Sequence, residues 1–277
     1  MATAHPDPKA RQASLNGIRM AFTDEGQGTA LLLVHGFPLN RHAWRRQVEA
    51  FRGTCRVIAP DLRGMGESSG TPGPVAMTRF AEDLHALVEH LEAGPVILVG
   101  HSMGGYVALA FAKAFAGDLQ GLVLVGTRAG ADSPQAAVAR RETAEQVRLL
   151  GPSAMAEGMA AKMLSPENHD AAMAAEVRAL MAPSSQEGLI GALLGMADRP
   201  DANAWIGEIA VPTLVIAGAD DAIIPPGESE AMARALPAAR LKLIPRAGHL
   251  VPWEAAEAFN GALREWLPGS TGQAASK

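Results

Sequence analysis

Six short apolar runs, each followed by a stretch with helical or turn patterning, constrain the fold of this chain more than any other feature. "ALLLVHG" (30–36), "CRVIAPD" (55–61), "PVILVG" (95–100), "LQGLVLVG" (119–126), "PTLVIAG" (212–218) and "ARLKLIP" (239–245) read as buried strands. They are nearly continuous in apolar residues instead of alternating, the pattern expected when helices cover both faces of a sheet. Alternating strands and helices imply an α/β fold with a mostly parallel sheet and right-handed crossovers. Upstream, "ASLNGIRMAF" carries Asn16-Gly17, a hairpin signal, so the first strands are expected to be antiparallel. Among the helices, Phe80, Leu84, Leu87, Val88 and Leu91 share one face, with Glu82, Asp83, Glu89 and His90 off it; Phe259, Leu263, Trp266 and Leu267 mark the last helix.

One region breaks the alternation. Between about Arg128 and Trp205 there are only helical patterns, and six of the twelve methionines fall there: Met155, Met159, Met163, Met173, Met181 and Met196. A helical insertion between two strands is most simply a lid over the carboxyl edge, where such sheets bind ligands, and its methionines suit an adaptable apolar wall. The expected organisation is a discontinuous core of residues 13–127 and 206–267, a helical lid over 128–205, and disordered ends at 1–12 and 268–277.

Composition narrows the partners. The chain has 277 residues and a net charge of −5, with no Lys/Arg cluster to hold phosphates, so nucleic acid is not an expected partner. Cys55 is the lone cysteine, which leaves no internal disulfide and reads as a small core residue. No apolar run approaches the ~20 residues a membrane helix needs, and the start lacks a signal-peptide core. A soluble, cytoplasmic protein without cofactor or metal is expected; a homo-oligomer is compatible with the sequence.

The chemistry is concentrated at "GHSMGG", where a buried strand meets a buried helix. G-x-S-x-G with a strand before and a helix after is a nucleophile elbow. A strand turning sharply into a helix forces the middle residue into a strained conformation and brings its neighbours two positions away together. Gly100 and Gly104 must therefore lack side chains, and Gly105 would let the helix approach the sheet. Ser102 is left exposed above the carboxyl edge, and the Met103 N–H at the helix start favours negative charge. A serine hydroxyl needs a base. Of the eight histidines, His249 in "PRAGHLVPWE" lies after the last strand, on the same edge as Ser102, whereas His101 should point away from the serine. The base needs an orienting carboxylate, and "LVIAGADDAIIPP" offers two, Asp220 and Asp221.

The elbow, the order Ser-Asp-His and "HGFPLN" after an early strand together resemble the α/β-hydrolase fold, over roughly residues 13–267. The family's G-x-x-D-x-x-x-P pattern falls on Gly218, Asp221 and Pro225, and so selects Asp221. The resemblance assigns the second oxyanion donor, beside Met103, to the N–H of Phe37. It also places "DLRGMGESSG" (61–70) as scaffold, and His35 as a residue that holds its loop. What it implies is a serine carboxylesterase acting on small-to-medium apolar esters. Pro38, Met155, Met159, Leu189, Leu193, Ile223 and Leu250 are the candidate pocket residues. A serine-type lactonase shares the same triad. Aromatic-Pro after His-Gly is similar to the cofactor-free perhydrolases, or non-haem haloperoxidases. A hydrolase-like ligand receptor is the non-enzymatic rival.

Overall fold

The computed structural model describes residues 10–181 and 184–267, apart from the side chains of residues 154–157. Eight strands form one sheet among these residues: β1 (Arg11–Leu15), β2 (Ile18–Glu25), β3 (Ala30–Val34), β4 (Arg56–Pro60), β5 (Val96–His101), β6 (Leu119–Val125), β7 (Thr213–Gly218) and β8 (Ala239–Ile244). Their order is β1-β2-β4-β3-β5-β6-β7-β8. β1 and β2 are antiparallel to their neighbours, and β3 to β8 run parallel. The hairpin forms where Asn16-Gly17 predicts it, both residues taking positive φ, 47° and 78°. That is the backbone twist a two-residue hairpin needs. β1 begins at Arg11, so residues 11 and 12 belong to the sheet and not to a disordered end; residues 1–9 and 268–277 lie outside the described residues.

Both faces of the central strands are covered, which is why their sequences read as continuous apolar runs. Ile97 and Val99 of β5 join one core with Trp44, Phe51, Phe259 and Leu263, contributed by α1 (Arg45–Phe51), the residue before it, and a C-terminal helix. Val96 and Leu98 join the opposite core with Phe80, Leu84, Val107 and Phe111, from α2 (Met77–His90) and α3 (Met103–Ala114). Between β6 and β7 the chain runs through α4 (Pro134–Leu150), α5 (Pro152–Met163), α6 (Ala171–Met181) and α7 (Gln186–Ala197). Met163, Met181 and Met196 are buried there, and Met159 and Met173 pack partly buried against the cores. After β7 come α8 (Pro226–Ala235), then, past β8, α9 (Val251–Glu254) and α10 (Ala256–Trp266).

Two expectations are corrected. β8 reads as a buried strand, but it is the edge of the sheet, with Leu241 and Leu243 exposed. Edge position is set by strand order, which no local pattern encodes; Arg240 and Lys242 on the same strand are the charges that keep an open edge from pairing with another chain. The helical spacing puts Asp83 off the apolar face of α2, yet it is wholly buried. Its carboxylate receives Arg63 Nε at 2.8 Å and Nη2 at 2.6 Å, and Asn16 Nδ2 at 3.3 Å, pinning the loop after β4 to α2 and the hairpin.

The loop after β4 is held throughout by such contacts. Asp61 accepts the guanidinium and, at 2.7 Å, the backbone N–H of Arg41, together with the Glu67 N–H at 2.9 Å. Ser68 donates to the Asp61 carbonyl at 2.7 Å and accepts from Ala21 N–H at 2.9 Å. Breaking a buried pair by removing one partner leaves an uncompensated charge. Arg63→Met is therefore expected to destabilise the protein by about 3–5 kcal/mol, read as a lowered urea midpoint.

Candidate active site

Ser102 sits between β5 and α3 with φ 53° and ψ −116°. A non-glycine residue in this region costs roughly 1–3 kcal/mol and persists only where its surroundings hold it. Here the Ser102 N–H donates to Val125 O at 2.8 Å, and its carbonyl accepts from Gly105 N–H at 2.8 Å and from the Thr127 hydroxyl at 2.9 Å. The two glycines of the elbow are required by contact. A Cβ on Gly100 would lie 2.4 Å from the Gly104 carbonyl oxygen, and one on Gly104 would lie 2.3 Å from that of Val34. Gly105 lets α3 approach the strand edge, since a Cβ there would meet Thr127 Oγ1 at 2.4 Å. Thr127, just past β6, was not singled out from sequence; a lone threonine after a strand carries no signal.

The loops after β7 and β8 bring Asp221 and His249 together. His249 Nδ1 and Asp221 Oδ2 are 2.8 Å apart, with both side chains fully buried. Asp221 Oδ1 accepts the N–H groups of Ile223 and Ile224, each at 2.8 Å. A carboxylate acceptor puts the imidazole proton on Nδ1 and leaves Nε2 with a free lone pair. That Nε2 is buried and makes no hydrogen bond. Asp220, the other aspartate in the motif, instead accepts the Ser165 hydroxyl at 2.8 Å.

His101 does not pair with the serine; it supports the His249 loop. Its Nε2–H donates to the His249 carbonyl at 2.9 Å, and the two rings stand 4.9 Å apart between centroids. Burial and the neighbouring His249 push its pKa down to about 3, so it is neutral. His35 is also fully buried and neutral, its pKa lowered chiefly by burial. Its Nδ1–H donates to Gly36 O at 2.9 Å and its Nε2 accepts Leu62 N–H at 3.0 Å, tying the "HGFPLN" loop to the loop after β4. Gly36 abuts the elbow, for a Cβ on it would lie 2.9 Å from Ser102 Cβ. Phe37 therefore follows directly from the serine's surroundings, and it is buried, as is Pro38, with a cis peptide between them.

Five of the candidate pocket residues fall in two apolar clusters. Leu189 and Leu193 of α7 share a core with Phe37 and Met103, whereas Leu250 and Ile223 belong with Leu39, Met163 and Leu164; Met159 touches both clusters. The Met155 side chain lies outside the described residues.

One carboxylate missed from sequence links these parts. Glu254, five residues after His249, accepts Gly248 N–H at 2.6 Å, Asn168 Nδ2–H at 2.6 Å and Ser165 N–H at 3.0 and 3.1 Å. Leu250 N–H adds a bond to Met163 O at 2.8 Å. The residues on either side of His249 are thus fastened, and the turn between α5 and α6 is fastened to the same loop. The spacing "GHLVPWE" was visible in the sequence, but nothing local marks Glu254 as turned inward.

A mostly parallel eight-stranded sheet with a sharp turn between β5 and α3 is the architecture of an α/β-hydrolase fold. The chain belongs to the alpha/beta hydrolase fold family, whose model matches residues 29–256. A thermophilic esterase from Thermogutta terrifontis is similar in structure at 43% identity and TM-score 0.90, covering 95% of this chain and 99% of that one. The magnesium-chelatase 30 kDa subunit of Rhodobacter capsulatus is 32% identical over 272 residues, 89% of each chain. A bromoperoxidase from Bacillus anthracis is similar at 25% identity and TM-score 0.83, covering 93% of this chain and 99% of that one. No helix among the described residues is long and apolar enough to cross a membrane.

Two measurements probe this geometry. His101 has an ordinary pKa near 6.5 when unfolded and about 3 when folded. Its neutral form therefore contributes stability that is full above about pH 6.5 and is lost as pH falls toward about 3. His101→Gln, which can still donate to the His249 carbonyl, is expected to flatten the fall in urea midpoint over that window. Glu254→Ala is expected to broaden or abolish the downfield proton NMR resonance of His249 Nδ1–H, with Glu254→Gln intermediate. A resonance unchanged in both variants would show that Glu254 does not position His249.

Proposed function

We propose that the protein is a serine hydrolase that cleaves carboxylic esters of small-to-medium apolar substrates through an acyl-enzyme. The single observation that carries this reading is the buried, Asp221-bonded His249 with an unpartnered Nε2, packed against the residue that precedes a strained Ser102. In this reading His249 Nε2 takes the Ser102 hydroxyl proton as Oγ attacks the ester carbonyl carbon. The N–H groups of Phe37 and Met103 hold the resulting oxyanion, and Asp221 stabilises the imidazolium. Collapse breaks the C–O bond to the alcohol, which leaves with the proton from His249. A water deprotonated by His249 then attacks the acyl carbon, and Ser102 recovers its proton as the acid departs. Residues 128–205 act as the lid that excludes bulk water, and lactones enter by the same route. The similarity to the Thermogutta esterase supports the ester class.

A second reading is favoured by the buried Pro38 and by the bromoperoxidase likeness: peroxide replaces water as the acyl acceptor. Here the proline holds the loop so that its carbonyls receive peroxide.

A panel of p-nitrophenyl esters and lactones, with a serine-directed phosphonate, tests the first reading. Asp221→Asn should lower kcat by about 10⁴, and Ser102→Ala should lose both turnover and label. Turnover that survives in Ser102→Ala, or an unlabelled Ser102, would overturn it. For the second, Pro38→Leu should lower peracid formation while sparing ester hydrolysis; parallel changes in both would exclude a peroxide-specific role.

A further inference from the structure

A cavity of about 350 Å³ lies on the outer flank of α3, at the seam between α2, α3 and the segment after α7. Ser102, Asp221 and His249 take no part in its lining. Pockets that take small molecules run from roughly 300 to 1,000 Å³, so this one suits a ligand of modest size. Its floor is apolar, formed by Met77, Leu109, Ala110 and Trp205. Ala110 and Trp205 are only partly buried, so the floor is open to solvent.

The charged groups in its wall are unequal in sign. Lys113 and Arg128 line it with Arg199, and Asp198 is the carboxylate among the lining residues. Lys113 Nζ stands 5.0 Å above the Trp205 ring, and the Arg199 guanidinium 4.0 Å above that of Tyr106. Behind the wall, three arginines converge on one fully buried carboxylate. Asp132 receives Arg128 at 2.6 Å, Arg199 at 2.8 Å and also Arg140. Burial raises the Asp132 pKa, but the arginines outweigh it and hold the group ionised. Asp198 is itself paired with Arg141. Glu228 bears on Arg128 electrostatically but makes no hydrogen bond to it among those described. The cations thus outnumber the carboxylates on the wall of an apolar cavity, in a chain whose net charge is −5.

An excess of positive charge beside apolar surface, from the exposed Lys113 ammonium and the partly buried Arg128 guanidinium, is complementary to an anion with an apolar body. We propose that this cavity is a second ligand site, distinct from the Ser102 site, for an amphipathic monocarboxylate: an alkyl or aryl chain over Leu109, Ala110 and Trp205, with its carboxylate toward Lys113 and Arg128. Arginine and lysine favour such a head group by charge, and the Lys113–Trp205 stack keeps one cation at the rim. The site stands on its own charge and shape and does not require the serine chemistry.

Octanoate titrated by calorimetry, with Trp fluorescence as a second readout, tests the assignment. One octanoate per chain is expected to bind both the unmodified protein and Ser102→Ala. Ala110→Phe fills the cavity, and Lys113→Glu reverses a rim charge; each should weaken binding about tenfold or more, and Trp205→Phe should remove the fluorescence response. Octylamine, with the same chain and the opposite charge, should bind at least about tenfold more weakly. Absence of octanoate binding at millimolar concentration, equal binding by Ala110→Phe, or equal affinity for octylamine would each overturn the proposal. Lys113 is exposed, so its variant reports even if Ala110→Phe fails to fold.

Discussion

The rest of this site depends on a backbone contact: Gly104 of α3 against the carbonyl oxygens of Val34 and His35 at the end of β3. With no side chain at Gly104 or Gly100, α3 can begin with a single residue between it and β5. Ser102 is then the residue left to absorb the turn, at positive φ. Once the helix starts there, Gly36 packs against Ser102 without further adjustment. The strain is offset by neighbours that each hold a backbone group: Val125, Gly105 and Thr127.

Around that contact the protein uses neutral or paired buried polar groups as fasteners. His101 and His35 are held neutral by burial; His101 ties the end of β5 to the His249 loop, and His35 joins two loops at the carboxyl edge. Arg63–Asp83 and Arg41–Asp61 do the same for the loop after β4. Such groups add little net stability in themselves, because desolvation opposes the attraction, but they are costly to leave half-made. Loops anchored in this way keep one arrangement, which is what a pair such as Asp221–His249 needs if its free Nε2 is to face one direction. Glu254 extends the principle to the helical segment: one carboxylate binds the His249 loop and the α5–α6 turn together.

Much of this was legible beforehand, and for identifiable reasons. Strands covered on both faces have continuous apolar sequences, so β3 to β7 were readable. The Asn16-Gly17 turn demands residues that tolerate positive φ, so the hairpin was readable too. The candidate site residues Ser102, Asp221 and His249 stood out because an elbow and strand-end loops impose glycines and polar residues at fixed offsets. β8 reads as buried from its own residues, but its place at the edge follows from the order of strands. The burial of Asp83 is not legible locally because it depends on Arg63, twenty residues away, folding back over α2.

The sequence by itself determined the α/β alternation, the antiparallel start and the turn at which a serine is presented, because each follows from local periodicity or from glycines that no other residue could replace. Only the tertiary structure decided that His101 braces the His249 loop, that Asp220 takes the Ser165 hydroxyl, and that Glu254 faces inward. It also decided that three arginines gather on Asp132 beside an open cavity. Those outcomes rest on groups far apart in the chain sharing the same few ångströms, and no local pattern records who the neighbour will be.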